Sequence, residues 1–93
     1  MIASFRNAAT RELFETGKSR HLPAGIQRLA QRKLKYLAAA DDLNSLRAPP
    51  GNRLEALKGN RRGQFSIRVD DQYRICFEWI GKDAHQVQIV DYH

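Results

Sequence analysis

Residues 51–79 read GNRLEALKGNRRGQFSIRVDDQYRICFEW, and the alternation of side chains near the end of this stretch decides the architecture. Phe65, Ile67 and Val69 fall on one side of an extended segment while Gln64, Ser66 and Arg68 fall on the other, the period of a half-buried strand. The next run repeats it, with Tyr73, Ile75, Phe77 and Trp79 on one face and Arg74, Cys76 and Glu78 on the opposite one. Opposed residues of an antiparallel pair share a face, so keeping both apolar sets together requires Val69 opposite Tyr73 and Ile67 opposite Ile75. That register sets Arg68 opposite Arg74. Like charges directly opposed destabilise a pair, so an anion or a carboxylate is expected between them, a phosphate being the obvious one.

Upstream, Pro49-Pro50-Gly51 forces a turn, and Arg53 to Leu57 is expected as the preceding strand. The link from Lys58 to Gly63 contains two glycines, which permit a backbone approach to phosphate but more often only make a turn. It is neither a P-loop nor a dinucleotide fingerprint, because the required spacing and following helix are absent. Downstream, Gly81, Lys82 and Asp83 close a hairpin. His85 to Tyr92 then forms the last strand, with Val87 and Ile89 on one face and Val90 and Tyr92 on the other.

Towards the N-terminus, Pro23 suits a first helical position, and Ile26, Leu29, Ala30, Leu34 and Leu37 follow at helical spacing through to Ala40. Arg28, Arg32 and Lys35 recur away from that apolar set, either as a solvated face or as a contact for RNA or an acidic protein. Before this helix, Ile2 to Phe5 is expected as a short first strand. Asn7 caps a helix from Ala8 to about Thr16, which Gly17 ends and which buries Leu13 and Phe14. The order describes an α+β domain with two N-terminal helices packed on one face of a mainly antiparallel four- to five-stranded sheet. Its uncovered face is expected to be polar and basic.

The 93 residues make one domain, 1–93, with a formal charge of +6 that favours a polyanionic partner. Charge is uneven, since Gly17 to Ala40 carries Lys18, Arg20, Arg28, Arg32, Lys33 and Lys35 and no acid. The single cysteine, Cys76, has no internal disulfide partner and sits in a strand, so a packed thiol is expected. No signal-peptide run and no membrane span is visible, and a cytoplasmic location is expected. His21, His85 and Cys76 lack metal-ligand spacing, so neither a metal site nor a cofactor is expected. Trp79 alternates with Phe77 and Ile75 and is read as core rather than as a stacking platform for a base.

Four stretches carry a resemblance: Pro50 to Gly59, Ser66 to Val69, Tyr73 to Phe77, and the ending Asp91-Tyr92-His93. In these, and over nearly the whole chain, the sequence resembles the HigB toxins, also called plasmid maintenance killer proteins, of the RelE/ParE superfamily. The resemblance implies a RelE-like fold and a toxin of a type II toxin–antitoxin system. Such a toxin is a metal-independent endoribonuclease, without cofactor, that enters the ribosomal A site and cuts messenger RNA. The implied partners are the ribosome with its messenger and a HigA-like antitoxin bearing a helix-turn-helix domain, with a heterotetrameric complex as one form.

Residue by residue, Asp91, Tyr92 and His93 match the family's C-terminal catalytic positions, and Lys58 and Arg74 match its phosphate-stabilising ones. Charge and strand face add Arg62 and Arg68 as RNA contacts, with Arg53 and Arg61 from the same basic segment and the helix stripe Arg28, Arg32 and Lys35. Glu55 stands where well-studied members have histidine. A carboxylate accepts a proton, but basic neighbours hold it ionised and make it a weaker base; the other reading is that Glu55 only pairs with an arginine. The alternative function is a non-catalytic inhibitor that binds the ribosome, ribosomal RNA or, as ParE relatives do, DNA gyrase. The basic face serves both, and Asp91, Tyr92 and His93 with Lys58 and Arg74 favour chemistry.

Overall fold

In the computed structural model, which describes residues 1–92, strands β1 (Glu55–Ala56), β2 (Gln64–Arg68), β3 (Tyr73–Ile80) and β4 (Asp83–Asp91) form one antiparallel sheet in sequence order. Ile67 lies opposite Ile75 and Arg68 opposite Arg74, the register that the alternation requires. Two helices precede the sheet, α1 (Ala8–Thr16) and α2 (Ala24–Ala39). The Asn7 side chain accepts from the Thr10 backbone N–H at 2.9 Å and opens α1, while Gly17 at φ 83° closes it.

Leu13 of α1 and Ile26, Ala30, Leu34 and Leu37 of α2 bury against Ile67, Ile75, Phe77 and Val87 of the sheet. Each large side chain taken out of water there contributes about 1.5–3 kcal/mol. Leu29 departs from the expected stripe and is 36 % exposed. The buried seam runs through positions 26, 30, 34 and 37, and Leu29 stands about 100° of helix turn behind Ala30. Trp79 is partly buried and meets Phe77 edge-on with centroids 6.4 Å apart, as core packing requires.

Three local departures have backbone causes. Ile2 to Phe5 is not a continuous strand; it makes two parallel bridges, Ile2 to Ala84 and Phe5 to Val87. Between them Gln86 takes φ 54°, its N–H donates to Ser4 Oγ at 2.9 Å, and the β3–β4 register shifts at the same level, so a bulge interrupts the ladder. The strand expected over Arg53 to Leu57 contracts to Glu55–Ala56, because a 3₁₀ turn over Pro50–Asn52 leads into Arg53 at φ 45°. The segment before it is pinned rather than loose: Leu46 and Asn52 are fully buried, Asn52 donates to the Leu46 carbonyl at 3.2 Å, and Lys33 donates to Asn52. Among the described residues no helix is long and apolar enough to cross a membrane.

The Cys76 thiol is packed inside the sheet, and burial raises it above its ordinary value against the opposing pull of Arg61 and Arg74. A proton held more tightly by the folded than by the unfolded chain gives stability that is complete below the unfolded thiol's value of about 8.5 and lost as pH rises towards the folded one. Two outcomes are expected. Iodoacetamide at pH 8 labels Cys76 slowly until denaturant is added, and Cys76→Ala flattens the alkaline decline of the melting temperature. Gln86→Gly removes the cost of a left-handed non-glycine residue, about 1–2 kcal/mol, and raises the melting temperature by a few degrees.

Candidate active site on the open face of the sheet

The face turned away from the helices carries Glu55 from β1, Gln64, Ser66 and Arg68 from β2, Arg74, Cys76 and Glu78 from β3, and Gln88 and Val90 from β4. It is not the bare polar surface expected. Ser66 and Cys76 are essentially inaccessible and Arg74 is only 8 % exposed. The cause is the Arg74 side chain, which lies back across the sheet. Its Nε donates to Ser66 Oγ at 2.7 Å, and its Nη2 donates to the Arg53 carbonyl at 2.6 Å and the Ser66 carbonyl at 3.4 Å.

These acceptors are neutral, so they orient the guanidinium without cancelling its charge. Among the described residues the carboxylate paired with it is Glu55, whose Oε1 stands 3.7 Å from Nη2 on a side chain that is 54 % exposed. Nη1 donates to no group among the described residues. Of the two expected ways to relieve the opposed arginines, an anion such as phosphate or a nearby carboxylate, the structure shows the carboxylate. Each meets a carboxylate of its own, Asp71 for Arg68 and Glu55 for Arg74.

Tyr92 follows Val90 on the same face. Its ring centroid is 5.8 Å from Arg74 Cζ, a cation–π approach, and the side chain stays exposed. Its backbone N–H, bonded to the Gln72 carbonyl at 2.6 Å, fixes the chain end there. Asp91 is turned the other way: it pairs with Tyr73 on the helix-covered face and accepts from Gln72 Nε2 at 3.1 Å. Strand alternation thus separates Asp91 from the Arg74–Tyr92–Glu55 group. His93 lies outside the described residues.

Lys58 and Arg62, with Leu57 and Gly59, line a cleft of about 340 Å³ past the end of β1, where Leu57 N–H donates to the Gln64 carbonyl at 2.8 Å. Arg61 donates to Gln64 Oε1 at 3.2 Å on that side, and the Arg53 side chain is exposed beside its buried-side carbonyl. Arg68 shares the face but is engaged by Asp71. Arg28, Arg32 and Lys35 are exposed on the outer side of α2, across the sheet from Arg74, and do not join it. Among the described residues no group of three histidine, cysteine or acidic side chains stands together as a metal site would need.

Two participants escaped the sequence reading: Ser66 and the Arg53 carbonyl. Ser66 was findable, since the register makes it the diagonal neighbour of Arg74 on one face. The carbonyl depends on the left-handed turn at Arg53, which no residue type announces. Removing an acceptor from a buried guanidinium costs about 1–3 kcal/mol. Ser66→Ala is accordingly expected to lower stability in urea unfolding by that amount, Ser66→Thr to restore most of it, and Arg53→Gly to be neutral or stabilising because it keeps the carbonyl. An unchanged Ser66→Ala midpoint would refute the clamp.

With this geometry in hand, comparison with known proteins is specific. Residues 3–93 match the family model described as RelE-like toxin of type II toxin-antitoxin system HigB. The chain is 42 % identical over 81 residues to Toxin HigB-1 of Vibrio cholerae, covering 86 % of this chain and 85 % of that one. It is 35 % identical over 94 residues to Endoribonuclease HigB of Proteus vulgaris, covering 100 % of both. Among solved structures, a mutant of YafQ from E. coli superposes with a TM-score of 0.60 over 99 % of this chain and 94 % of that one, at 16 % identity, a likeness of fold. The chain therefore belongs to the HigB family of RelE-like toxins of type II toxin–antitoxin systems.

Proposed function

We propose that this toxin is an endoribonuclease that cuts messenger RNA in the ribosomal A site, with Arg74, Tyr92, Glu55 and Lys58 at the reacting phosphate. The observation that carries the reading is the Arg74 guanidinium, buried, oriented by neutral acceptors and left with Nη1 unengaged among the described residues. A fixed donor of that kind acts where negative charge develops, and it needs no reorganisation when the charge appears. The likeness to a protein named Endoribonuclease HigB over the full length of both chains supports the same reaction.

In the proposed step the ribose 2′-hydroxyl attacks the adjacent phosphorus, the P–O5′ bond breaks, and a 2′,3′-cyclic phosphate and a 5′-hydroxyl result. Arg74 and Lys58 stabilise the phosphorane charge. Tyr92, beside Arg74, gives its proton to the leaving O5′, and Glu55 at the other side of the guanidinium accepts the proton of the 2′-hydroxyl. No metal ion is needed for this sequence of transfers. Arg62 and Arg53 add charge along the RNA path, and His93 completes the ending that the family resemblance assigns to catalysis.

A toxin of this type has an antitoxin partner. A HigA-like helix-turn-helix protein is the proposed one, in a heterotetramer, acting in the cytoplasm where the ribosome is. The outward stripe Arg28, Arg32 and Lys35 is a contact surface apart from the chemistry, for ribosomal RNA or for acidic antitoxin residues.

Cleavage mapped on ribosomes programmed with a defined A-site codon tests the reading. Tyr92→Phe should slow cutting by about 10²–10⁴ without abolishing ribosome binding. Glu55→Gln should cost less, and Glu55→His should match or exceed the parent by supplying a base that titrates near neutrality. A parent protein that arrests growth with no cut would replace this account with a non-catalytic inhibitor of ribosome or gyrase. Neutralising Arg28, Arg32 and Lys35 together should weaken antitoxin or ribosome affinity and leave the single-turnover rate at saturation alone.

A further inference from the structure

At the end of the sheet where Gln64 faces Glu78, two arginines from distant parts of the chain converge. Arg6, Asn60, Arg61 and Gln64 line a cleft of about 310 Å³. Phe5 turns inward to Phe14, with ring centroids 5.6 Å apart, while Arg6, the next residue, lines the cleft with Gln64 of the open face. Its N–H donates to the Val87 carbonyl at 2.9 Å, which sets it beside Gln88. Arg61 arrives from the 3₁₀ turn Gly59–Arg61, held by Gln64 Oε1 at 3.2 Å, and its field reaches Cys76 on the same face.

Neither Arg6 nor Arg61 forms an ion pair among the described residues, although Glu78 shares their face. Gln88, opposite Cys76 on the same face, has its Oε1 buried with no hydrogen-bond donor among the described residues. Two guanidiniums without a carboxylate partner, lining one cleft, make a site for an anionic group. A phosphate of an RNA strand is such a group. Ser66, under Arg74, and Gln64, in the cleft, are two residues apart on β2, about 7 Å at the rise of a strand.

We propose that this cleft holds the phosphate next to the scissile one on the RNA strand, gripped by Arg6 and Arg61. Guanidinium forks match phosphate oxygens in pairs, and a shared phosphate removes the repulsion between the two arginines. The inference rests on the reading of Arg74 as the scissile-phosphate donor, and it extends the bound RNA beyond a single phosphodiester.

The test uses arginine Nε–H resonances during titration with two short RNAs methylated on the attacking 2′-oxygen, one with a single phosphodiester and one with two. The shorter RNA is expected to shift Arg74 alone, and the longer one to shift Arg74, Arg6 and Arg61. On programmed ribosomes Arg6→Gln and Arg61→Gln should each raise KM about tenfold more than they lower the saturated rate, the size of one charge-assisted hydrogen bond. The slope of log affinity against log salt should become shallower by about 0.7 in the double variant. If the longer RNA shifts Arg74 but leaves Arg6 and Arg61 unmoved, the cleft is solvated surface and the proposal is overturned. If neither RNA moves Arg74, the cleavage reading fails first and takes this one with it.

Discussion

The open face of the sheet depends on one hydrogen-bonded cation, the Arg74 guanidinium laid across Ser66 and the Arg53 carbonyl. A charge that is nine-tenths buried is tolerated when its donors are satisfied, and here neutral oxygens satisfy most of them. Glu55 adds little to that stability, because a half-exposed pair at 3.7 Å is worth about 0–1 kcal/mol. Structure and chemistry are thus divided between different acceptors. Ser66 and Arg53 hold the cation, and in the proposed reaction Glu55 takes the proton.

The rest of the fold serves that arrangement from behind. Leu13, Ile26, Ala30, Leu34 and Leu37 press on Ile67, Ile75 and Phe77, which fixes the register that brings Ser66 diagonal to Arg74. A slip of one residue between β2 and β3 would send Arg74 into the helix-covered core, so the apolar face specifies the polar one. Opposed Arg68 and Arg74 are then unavoidable. Asp71 and Glu55 offset part of the repulsion, one from the tight turn and one from β1 across β2.

The β2–β3 register, the capped first helix and the buried seam of the second were legible because period and capping are local properties, readable from Phe65, Ile67, Asn7 and Ile26. What stayed hidden was set by backbone exceptions. The bulge at Gln86 broke the expected strand at Ile2 to Phe5, and the left-handed turn at Arg53 shortened β1 and supplied the carbonyl that holds Arg74. Arg74 itself was read as open surface, since a charged residue on an alternating strand is ordinarily solvated. The ending Asp91-Tyr92 looked like one unit in the sequence, yet alternation sends Asp91 to Gln72 and Tyr92 to Arg74.

The central claim is that Arg74 acts through the shape of its guanidinium, anchored by one edge and donating with another. Arg74→Lys keeps the charge and discards that shape, since an ammonium cannot bond Ser66 and the Arg53 carbonyl while reaching a phosphate. The decisive measurement is its single-turnover cleavage rate on programmed ribosomes, on protein whose circular dichroism matches the parent. The account predicts a fall of about 10²-fold or more, the cost of losing one positioned donor. A rate close to the parent's would show that charge alone suffices and would contradict it.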